Sequence, residues 1–409
     1  MIRNLLRIAI PALGVVVADP VMSLVDTACV GQVSSIELAA MGPNSSVFGM
    51  IFMMFGFLGT ATTNIMAQND MFTKGLSTEA SEARARRGSR AQSDALFLAI
   101  FFGVLCTLIL SFMGPTVLQW AGATDETLGP ALAYLRIRAV ACPAVLLLFV
   151  LEGSFIGQQD AMSPLKFILL ATLINLLGDA VLVLGFKQGI IGAAIATAAA
   201  QFIAAGTLFW DLYRQGIQGH KVKIKWHGIP KLRDLAAFQA VARAMVSRNV
   251  LIMTKYVVMT RVVTTLGVVE LAAHQVGLSL FWLMCTFLEP LSLAAQTMVA
   301  RAADASPDVV LRIIRIIMLV TSFLSVILGG LTAVMFTSLP FLFTRDATVM
   351  MHITGLWAPA LAALSIYGAM MLGDTISVAA NEMEHIPRLN FVGMTIACGY
   401  LLYAEVRNN

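Results

Sequence analysis

The chain has 409 residues, of which 58% are hydrophobic and 12% are charged, and its mean hydropathy is +0.84. Soluble domains carry about 25% charged residues, and a water-soluble globule could not bury this much apolar surface. The composition therefore excludes a soluble domain and predicts a polytopic membrane protein that contacts the lipid bilayer and no nucleic acid. The net charge of +4 indicates nothing as a total, because its meaning depends on which loops carry it.

Long apolar stretches divide the chain into predicted membrane-spanning helices, since about 20 apolar residues suffice to cross a bilayer. They lie at 5–31, 38–68, 94–120, 131–158, 162–187, 189–213, 241–268, 271–300, 309–338, 350–380 and 388–404. The predicted fold class is therefore an all-α polytopic membrane protein with eleven spans in this sequence.

The connections between these stretches differ in Lys and Arg content, which sets the orientation of a membrane protein. Those at 69–93, 214–240 and 301–315 are basic, whereas those at 32–37 and 121–130 contain no Lys or Arg. We therefore expect the amino terminus and the basic connections to lie on the cytoplasmic side, or on the equivalent side of an organelle.

Two pairs of similar segments indicate an internal duplication. The letters ELAA begin one segment at Glu37 and another at Glu270. The segments EGSFIGQQD, from Glu152, and DTISVAANE, from Asp374, recur at a similar offset and in the same predicted orientation. Parallel repeats of this kind are found in transporters built from duplicated helical units. We predict two pseudo-symmetric six-helix bundles arranged as a parallel repeat.

The duplication divides the sequence into three predicted parts. These are an amino-terminal six-helix lobe at 1–213, a cytoplasmic basic linker at 214–240 and a carboxy-terminal lobe at 241–409. Two six-helix bundles need twelve spans, and this sequence provides eleven of the twelve. We therefore expect the last helix of the carboxy-terminal lobe to be missing from it.

Carboxylates inside apolar stretches point to function, because an ionised acid in the bilayer costs roughly 2.5–3.5 kcal/mol even on insertion scales. The first span contains Asp19 and Asp26 on one helical stripe, and the fifth places Asn175 and Asp179 four residues apart on one face. One interpretation is that Asp19 and Asp26 lie near helix ends and only cap or reach the interface. The alternative is a wet cluster that binds a proton near neutral pH, or binds Na⁺ at Asp26 and Asp179 when ionised.

Two other features of the first half complete this predicted site. Pro11 and Pro20 each remove a backbone N–H from the first span and favour a bend there. Glu152, in the fourth span, could line the same cavity.

The second half differs because its seventh span is basic. Arg248 and Lys255 lie seven residues apart on one face of that span. One interpretation pairs Lys255 with an acid such as Glu289 or Asp374. The other is a basic patch that attracts an anionic substrate, with Asp374 and Glu289 as coupling sites or as partners of the basic residues.

Other chemical signatures are missing from the sequence. The five cysteines are widely spaced within apolar runs, and His274 has no metal-ligand partner at a suitable spacing. No GxxxxGK[ST], HExxH or nucleophile-elbow motif occurs. We therefore expect no metal centre, no cofactor, no ATP-driven pump and no enzyme.

Three segments resemble the MATE (multidrug and toxic compound extrusion) transporters, in their DinF-like branch and closest to its plant and algal members. They are ADPVMSLVDTACVGQVSSIELAAMG at 18–42, LEGSFIGQQD at 151–160 and GIIGAAIATAAAQF at 189–202. The resemblance covers essentially the whole chain, and it implies two six-helix lobes and rocker-switch export driven by entry of H⁺ or Na⁺.

The resemblance also implies roles for individual residues. Pro11 is the bending proline of the first helix, and Asp26, Asn175 and Asp179 form an ion-coupling network of the amino-terminal lobe. Asp374 resembles the acidic residue of the tenth helix. The acid that some branches place in the seventh helix is absent here, so the resemblance does not imply a cation site in the carboxy-terminal lobe.

These observations predict a monomeric secondary antiporter in the plasma membrane or the chloroplast envelope. It would export a small organic solute, with an organic anion such as citrate or a phenolic acid favoured over a cationic drug because of Lys255 and Arg248. The alternatives are a lipid-intermediate flippase of the same superfamily, a membrane scaffold or receptor that transports nothing, and a channel.

Overall fold

The computed structural model describes residues 10, 11, 13–17, 22, 26, 29, 30, 33–69, 77–219, 222–225, 227–231, 235–266, 268–302, 307–338, 340, 347–379 and 385–408. Across these ranges the chain consists of helices and short connections, without a β-strand. It forms two compact units, Ile10–Ala242 (the amino unit) and a second that includes Arg243–Asn409 (the carboxy unit).

The amino unit begins with the first span, whose described residues between 10 and 33 are helical. The helices that follow are α1 (Ser35–Phe55), α2 (Phe57–Gln68), α3 (Thr78–Trp120), α4 (Asp125–Val140), α5 (Cys142–Gly157), α6 (Met162–Gly178), a π-helix (Asp179–Gly185) and α7 (Gly189–Ile217). Helix α1 begins at Ser35 because the Ser34 side chain accepts a hydrogen bond from the Glu37 backbone N–H, at 3.3 Å.

The carboxy unit consists of seven helices within the described residues. They are α8 (Ala236–Leu266), which begins just before the boundary between the units, α9 (Val268–Thr286), α10 (Glu289–Arg301), α11 (Pro307–Ser338), α12 (Ala347–Gly355), α13 (Trp357–Ala379) and α14 (His385–Asn408). The predicted linker at 214–240 therefore includes the last residues of α7 and the first residues of α8.

Helix length and composition confirm a polytopic helical membrane protein. Within the described ranges, seven helices are long and apolar enough to cross a membrane, or eight when α4 and α5 count as one span bent by 48°. Helix α8 is not among the seven because it carries several basic residues, Arg248 and Lys255 included. The predicted total of eleven spans therefore stays a prediction.

Close packing of small residues holds α2 against α5 in the amino unit. A Cβ atom added to Gly153 would lie 2.6 Å from the Gly59 carbonyl oxygen, and one on Gly157 would lie 2.5 Å from that of Thr63. Only glycine therefore allows the two backbones to come this close, as is common between membrane helices. The α2–α5 contact fixes α5 next to the helices that carry the candidate site.

Candidate functional site

A cluster of buried polar side chains lies inside the amino unit. Asp26 comes from the first span, Asn175 from α6, Asp179 from the start of the π-helix and Thr197 from α7. Asp179 is fully buried, and Asp26 and Asn175 are only 3% and 1% exposed. The structure thus brings together three of the four predicted ion-coupling residues, and it adds Thr197.

Asp26 accepts hydrogen bonds from two different helices. The Asn175 side-chain N–H donates to one carboxylate oxygen at 3.1 Å, and the Thr197 hydroxyl donates to the other at 2.7 Å. The Thr197 oxygen also lies 2.8 Å from the Ala193 carbonyl oxygen, one helical turn back. Because a hydroxyl has a single hydrogen, Thr197 can donate to Asp26 or to Ala193 but not to both at once.

Asp179 differs from Asp26 because no amide or hydroxyl group among the described residues donates a hydrogen bond to it. Both of its carboxylate oxygens are buried without such a partner, and so is the side-chain oxygen of Asn175. Asp26 acts on Asp179 electrostatically and through a side-chain hydrogen bond, which requires that one of the two acids carries a proton. An ionised, donor-free carboxylate in a buried site costs several kcal/mol. Three such acceptor oxygens together form a site that a proton or a small cation would stabilise.

The local backbone is unusual at this point. Asp179 is the first residue of a seven-residue π-helix that continues directly from α6. Short π-helical segments are rare and occur frequently at functional sites. Gly178, the preceding residue, allows close contact with α7, because a Cβ atom there would lie 2.7 Å from that of Ala196.

A buried arginine of the amino unit was not predicted from the sequence. Arg138, in α4, is 8% exposed and donates from one terminal nitrogen to the Gln201 side-chain oxygen at 2.6 Å. Its guanidinium carbon lies 5.3 Å from the centre of the Phe48 ring, and its Nε atom has no partner among the described residues. Tyr134, one turn earlier, experiences the charges of Arg138, Asp26 and Asp179. An arginine inside the apolar stretch 131–158 was the sequence signal that could have identified it.

The burial of Asp26 bears on the two interpretations that the sequence left open. At 3% exposure, with donors from α6 and α7, this side chain does not reach toward an interface. Asp19 and Pro20 lie outside the described residues. Pro11 is a buried helical residue, and Glu152 in α5 is half-buried with interactions of its own. The bending roles of the prolines and the cavity role of Glu152 stay predictions.

In the carboxy unit, Arg248 of α8 forms an ion pair with Asp374 of α13. The terminal guanidinium nitrogen and the carboxylate oxygen are 3.1 Å apart, with side-chain exposures of 26% and 10%. Arg248 also donates to the side chain of Asn249 at 3.3 Å, and its charge reaches Glu289 at the start of α10. Asp374 therefore pairs with Arg248 and not with Lys255, which reduces the net positive charge that Arg248 offers to an anion.

Lys255 borders a cavity of about 330 Å³ within the carboxy unit. The other nitrogen-bearing side chain on its wall is His274, whose Nε2 atom is buried without a partner in the described part of the chain. Most of the remaining wall is apolar, with Phe281, Phe336 and Leu356 among its residues. Lys255 takes part in none of the ion pairs found among the described residues.

The donor sets do not resemble those of a structural metal site. Within the described residues, no group of three or more His, Cys, Asp or Glu side chains is close enough to bind one ion. The amino-unit cluster offers two carboxylates, an amide oxygen and a hydroxyl, which are ligand types that suit a proton or an alkali cation.

Helices of membrane-spanning length around a buried acid pair are typical of integral membrane proteins of the transporter class, because intramembrane acids often mark ion pathways and proton relays. The MatE family model matches residues 11–181. Protein DETOXIFICATION 47, chloroplastic, from Arabidopsis thaliana is 27% identical over 410 residues, which cover 98% of this chain and 72% of that protein. DNA damage-inducible protein F from Escherichia coli is 29% identical over 231 residues, which cover 55% of this chain and 48% of that protein.

The solved structure of the Vibrio cholerae MATE transporter VcmN in its bent form has the same fold, with a TM-score of 0.84 at 18% identity. The match covers 99% of this chain and 96% of that one. The chain is thus similar to MATE transporters in sequence and in fold, as the resemblance of its sequence segments predicted.

Proposed function

We propose that this protein is a secondary antiporter that exports a small organic solute in exchange for H⁺ or Na⁺. The observation that supports this most directly is the pair of buried acids in the amino unit. Asp26 is held by two donors, whereas Asp179 has no amide or hydroxyl donor among the described residues. Binding of a cation stabilises a buried carboxylate that lacks donors. Once the cation leaves, the unpaired negative charge again makes burial of the site unfavourable.

Thr197 gives this exchange a local structural consequence. When Asp26 is ionised, the Thr197 hydroxyl donates to it and leaves the Ala193 carbonyl. When Asp26 carries a proton, its own O–H can donate to the Thr197 oxygen, so the Thr197 hydrogen returns to Ala193. Protonation thus changes the bonding between the first span and α7. We propose that this change is coupled to rocker-switch alternating access.

For the exported solute we favour an organic anion, such as citrate or a phenolic acid. The supporting observation is Lys255, which borders a largely apolar cavity in the carboxy unit together with His274. A cationic drug is the second candidate, because the ionised acid pair of the amino unit would attract a cation in the absence of the coupling ion. Glu152, Glu289, Arg248 and Asp374 remain proposed contributors to the substrate pathway.

The proposal also concerns the membrane in which the protein resides. Three relatives are named as chloroplastic, which supports the chloroplast envelope for this chain, with the plasma membrane as the alternative. We propose that the protein works as a monomer, because each compact unit carries its own set of candidate residues.

The test is efflux from proteoliposomes under separately imposed proton and sodium gradients, with citrate, a phenolic acid and a cationic dye as competing cargoes. Asp26→Asn and Asp179→Asn should each abolish gradient-driven efflux, whereas the fold and membrane insertion are kept. Asp125→Asn is the matched control, since Asp125 is an exposed residue in the first turn of α4. Gradient-driven efflux at wild-type rates by both cluster variants would overturn the proposal.

The same assay separates the alternatives. A lipid-intermediate flippase would move a lipid-linked probe and none of the soluble cargoes. A scaffold or receptor would transport nothing, and its function would tolerate both Asp→Asn changes. A channel would show flux that does not saturate with substrate and that needs no gradient of a second ion.

A further inference from the structure

A strongly basic pocket lies on the amino unit and shares no residue with the acid cluster. It has a volume of about 490 Å³, and its wall includes five basic side chains, Arg86, Arg90, Lys223, Lys225 and His227. The two arginines belong to the first turns of α3, and the other three follow α7. Nothing in the antiport cycle proposed above uses these residues.

The segment after α7 is held against α3 and α5, so the pocket is built before any ligand arrives. The Ser89 hydroxyl donates to the Lys223 carbonyl oxygen at 2.7 Å, and the Val222 backbone N–H donates to the Gln158 side chain at 3.2 Å. Val222 itself is 1% exposed and packs against Gly88. These contacts anchor the backbone from which Lys223 and Lys225 extend.

Among the described residues, the charges of Arg86, Lys223 and Lys225 are only weakly compensated. Glu82 lies 3.4 Å from Arg86, but the two side chains are 65% and 71% exposed, and such a pair contributes little. Arg90 has further interactions of its own within the structure. Lys223 and Lys225 are exposed. The remaining positive charge suits a ligand with a compact double or single negative charge, which is the chemistry of a phosphate group.

The depth of the pocket relative to the bilayer favours a phosphate that belongs to a lipid. Arg90 precedes the apolar part of α3, which begins near Ala95, by about 7.5 Å at 1.5 Å per residue. On α7, Trp210 and Tyr213 are 64% and 39% exposed just before the pocket residues, as expected for aromatic side chains at a membrane interface. The pocket therefore lies at the height of the lipid headgroups.

We propose that this basic pocket binds the phosphate of an anionic phospholipid from the leaflet on the side of the basic loops. Binding there links α3 to the segment after α7, and it stabilises the amino unit. Clusters of Lys and Arg next to membrane helices are a general means of recognising anionic headgroups. The proposal stands independently of the transported solute and of the coupling ion.

The test uses the full chain in a neutral detergent, with unfolding temperature as the readout. The probes are dihexanoyl phosphatidylglycerol, dihexanoyl phosphatidylcholine and inorganic phosphate at equal concentrations. The variant is the double change Arg86→Gln with Lys223→Gln. Its matched control is Arg312→Gln with Arg315→Gln, which removes two exposed positive charges from α11 in the carboxy unit.

We expect phosphatidylglycerol to raise the unfolding temperature of the wild type and of the control, and the other two probes to have no effect. Each basic side chain near an anionic headgroup contributes roughly a factor of five in affinity, so the double variant should bind about thirtyfold more weakly. If the double variant fails to fold, Lys225→Gln alone should bind about fivefold more weakly. Undiminished stabilisation of the folded variant by phosphatidylglycerol overturns the proposal, and so does an equal effect of phosphatidylcholine or of inorganic phosphate.

Discussion

The hydroxyl of Thr197 offers the sharpest test of how the acid cluster works. Replacing this residue in Thr197→Val removes the 2.7 Å hydrogen bond to Asp26 and keeps a β-branched side chain of similar volume. Hydrogen bonds to charged groups contribute about 1.5–3 kcal/mol. The ionised form of Asp26 loses one of its two donors and becomes less stable by this amount. That free energy corresponds to a factor of roughly 10 to 150 in an equilibrium constant.

The consequence for transport follows from the sign of this change. In the antiport cycle proposed above, Asp26 is ionised when its proton is released, so Thr197→Val should slow proton-driven efflux by up to the same factor at a fixed pH. Raising the pH on the releasing side favours the ionised form and should restore much of the rate. Thr197→Ser keeps the hydroxyl and should transport like the wild type, whereas Asp26→Asn should stay inactive at every pH.

The measurement is the initial rate of efflux from proteoliposomes over a range of internal and external pH values, with protein content matched by quantitative blotting. Wild-type rates for Thr197→Val at every pH would refute the idea that the Thr197 hydroxyl controls ionisation of the cluster. Equal loss of activity in Thr197→Ser and Thr197→Val would refute it as well, because the shape of the side chain, and not its hydrogen bond, would then determine the rate of efflux.

Two further predictions concern stability. Arg248→Gln leaves the Asp374 carboxylate without its cation and should destabilise the protein by about 1–3 kcal/mol. In thermal unfolding, the double change with Asp374→Asn should cost less than the sum of the two single changes. Strict additivity would contradict an ion pair. Gly153→Ala places a methyl group against the Gly59 carbonyl and should destabilise the protein by about 1–3 kcal/mol. Gly206→Ala meets nothing within 4 Å and should not lower the unfolding temperature, because alanine is the better helix former. Equal melting of both variants would contradict the close α2–α5 contact.

The sequence was sufficient to predict the part of the site that depends on local spacing. Asn175 and Asp179 lie four residues apart and therefore share a face of any helix, and an acid such as Asp26 within an apolar stretch must find a polar partner. The partner that it finds across the bundle, Thr197, could not be predicted. Threonines are common in membrane helices because they can bond to their own backbone one turn back, as Thr197 also does with Ala193.

Other features escaped prediction because packing between helices decides them. The π-helix at Asp179 and the breaks at Ala141 and Leu356 interrupt stretches that the sequence analysis predicts as continuous spans. Arg138 depends on Gln201 and Phe48, which are distant along the chain, so no short-range pattern connects the three. The pairing of Arg248 with Asp374 likewise joins two helices that are 126 residues apart in the sequence.

The two compact units differ in how their buried acids are compensated, and this difference bears on where ion coupling resides. The offset between the two ELAA segments places Met259 of α8 at the position that corresponds to Asp26. In the carboxy unit the buried acid Asp374 already has a cation, the guanidinium of Arg248, supplied by the chain itself. In the amino unit, Asp179 has no such partner among the described residues. A mobile cation gains far more by binding an uncompensated carboxylate than one already paired, because only the first relieves an unpaired buried charge. The physical expectation is therefore that the exchanged ion binds in the amino unit, and that the Arg248–Asp374 pair makes a second exchange site in the carboxy unit unfavourable.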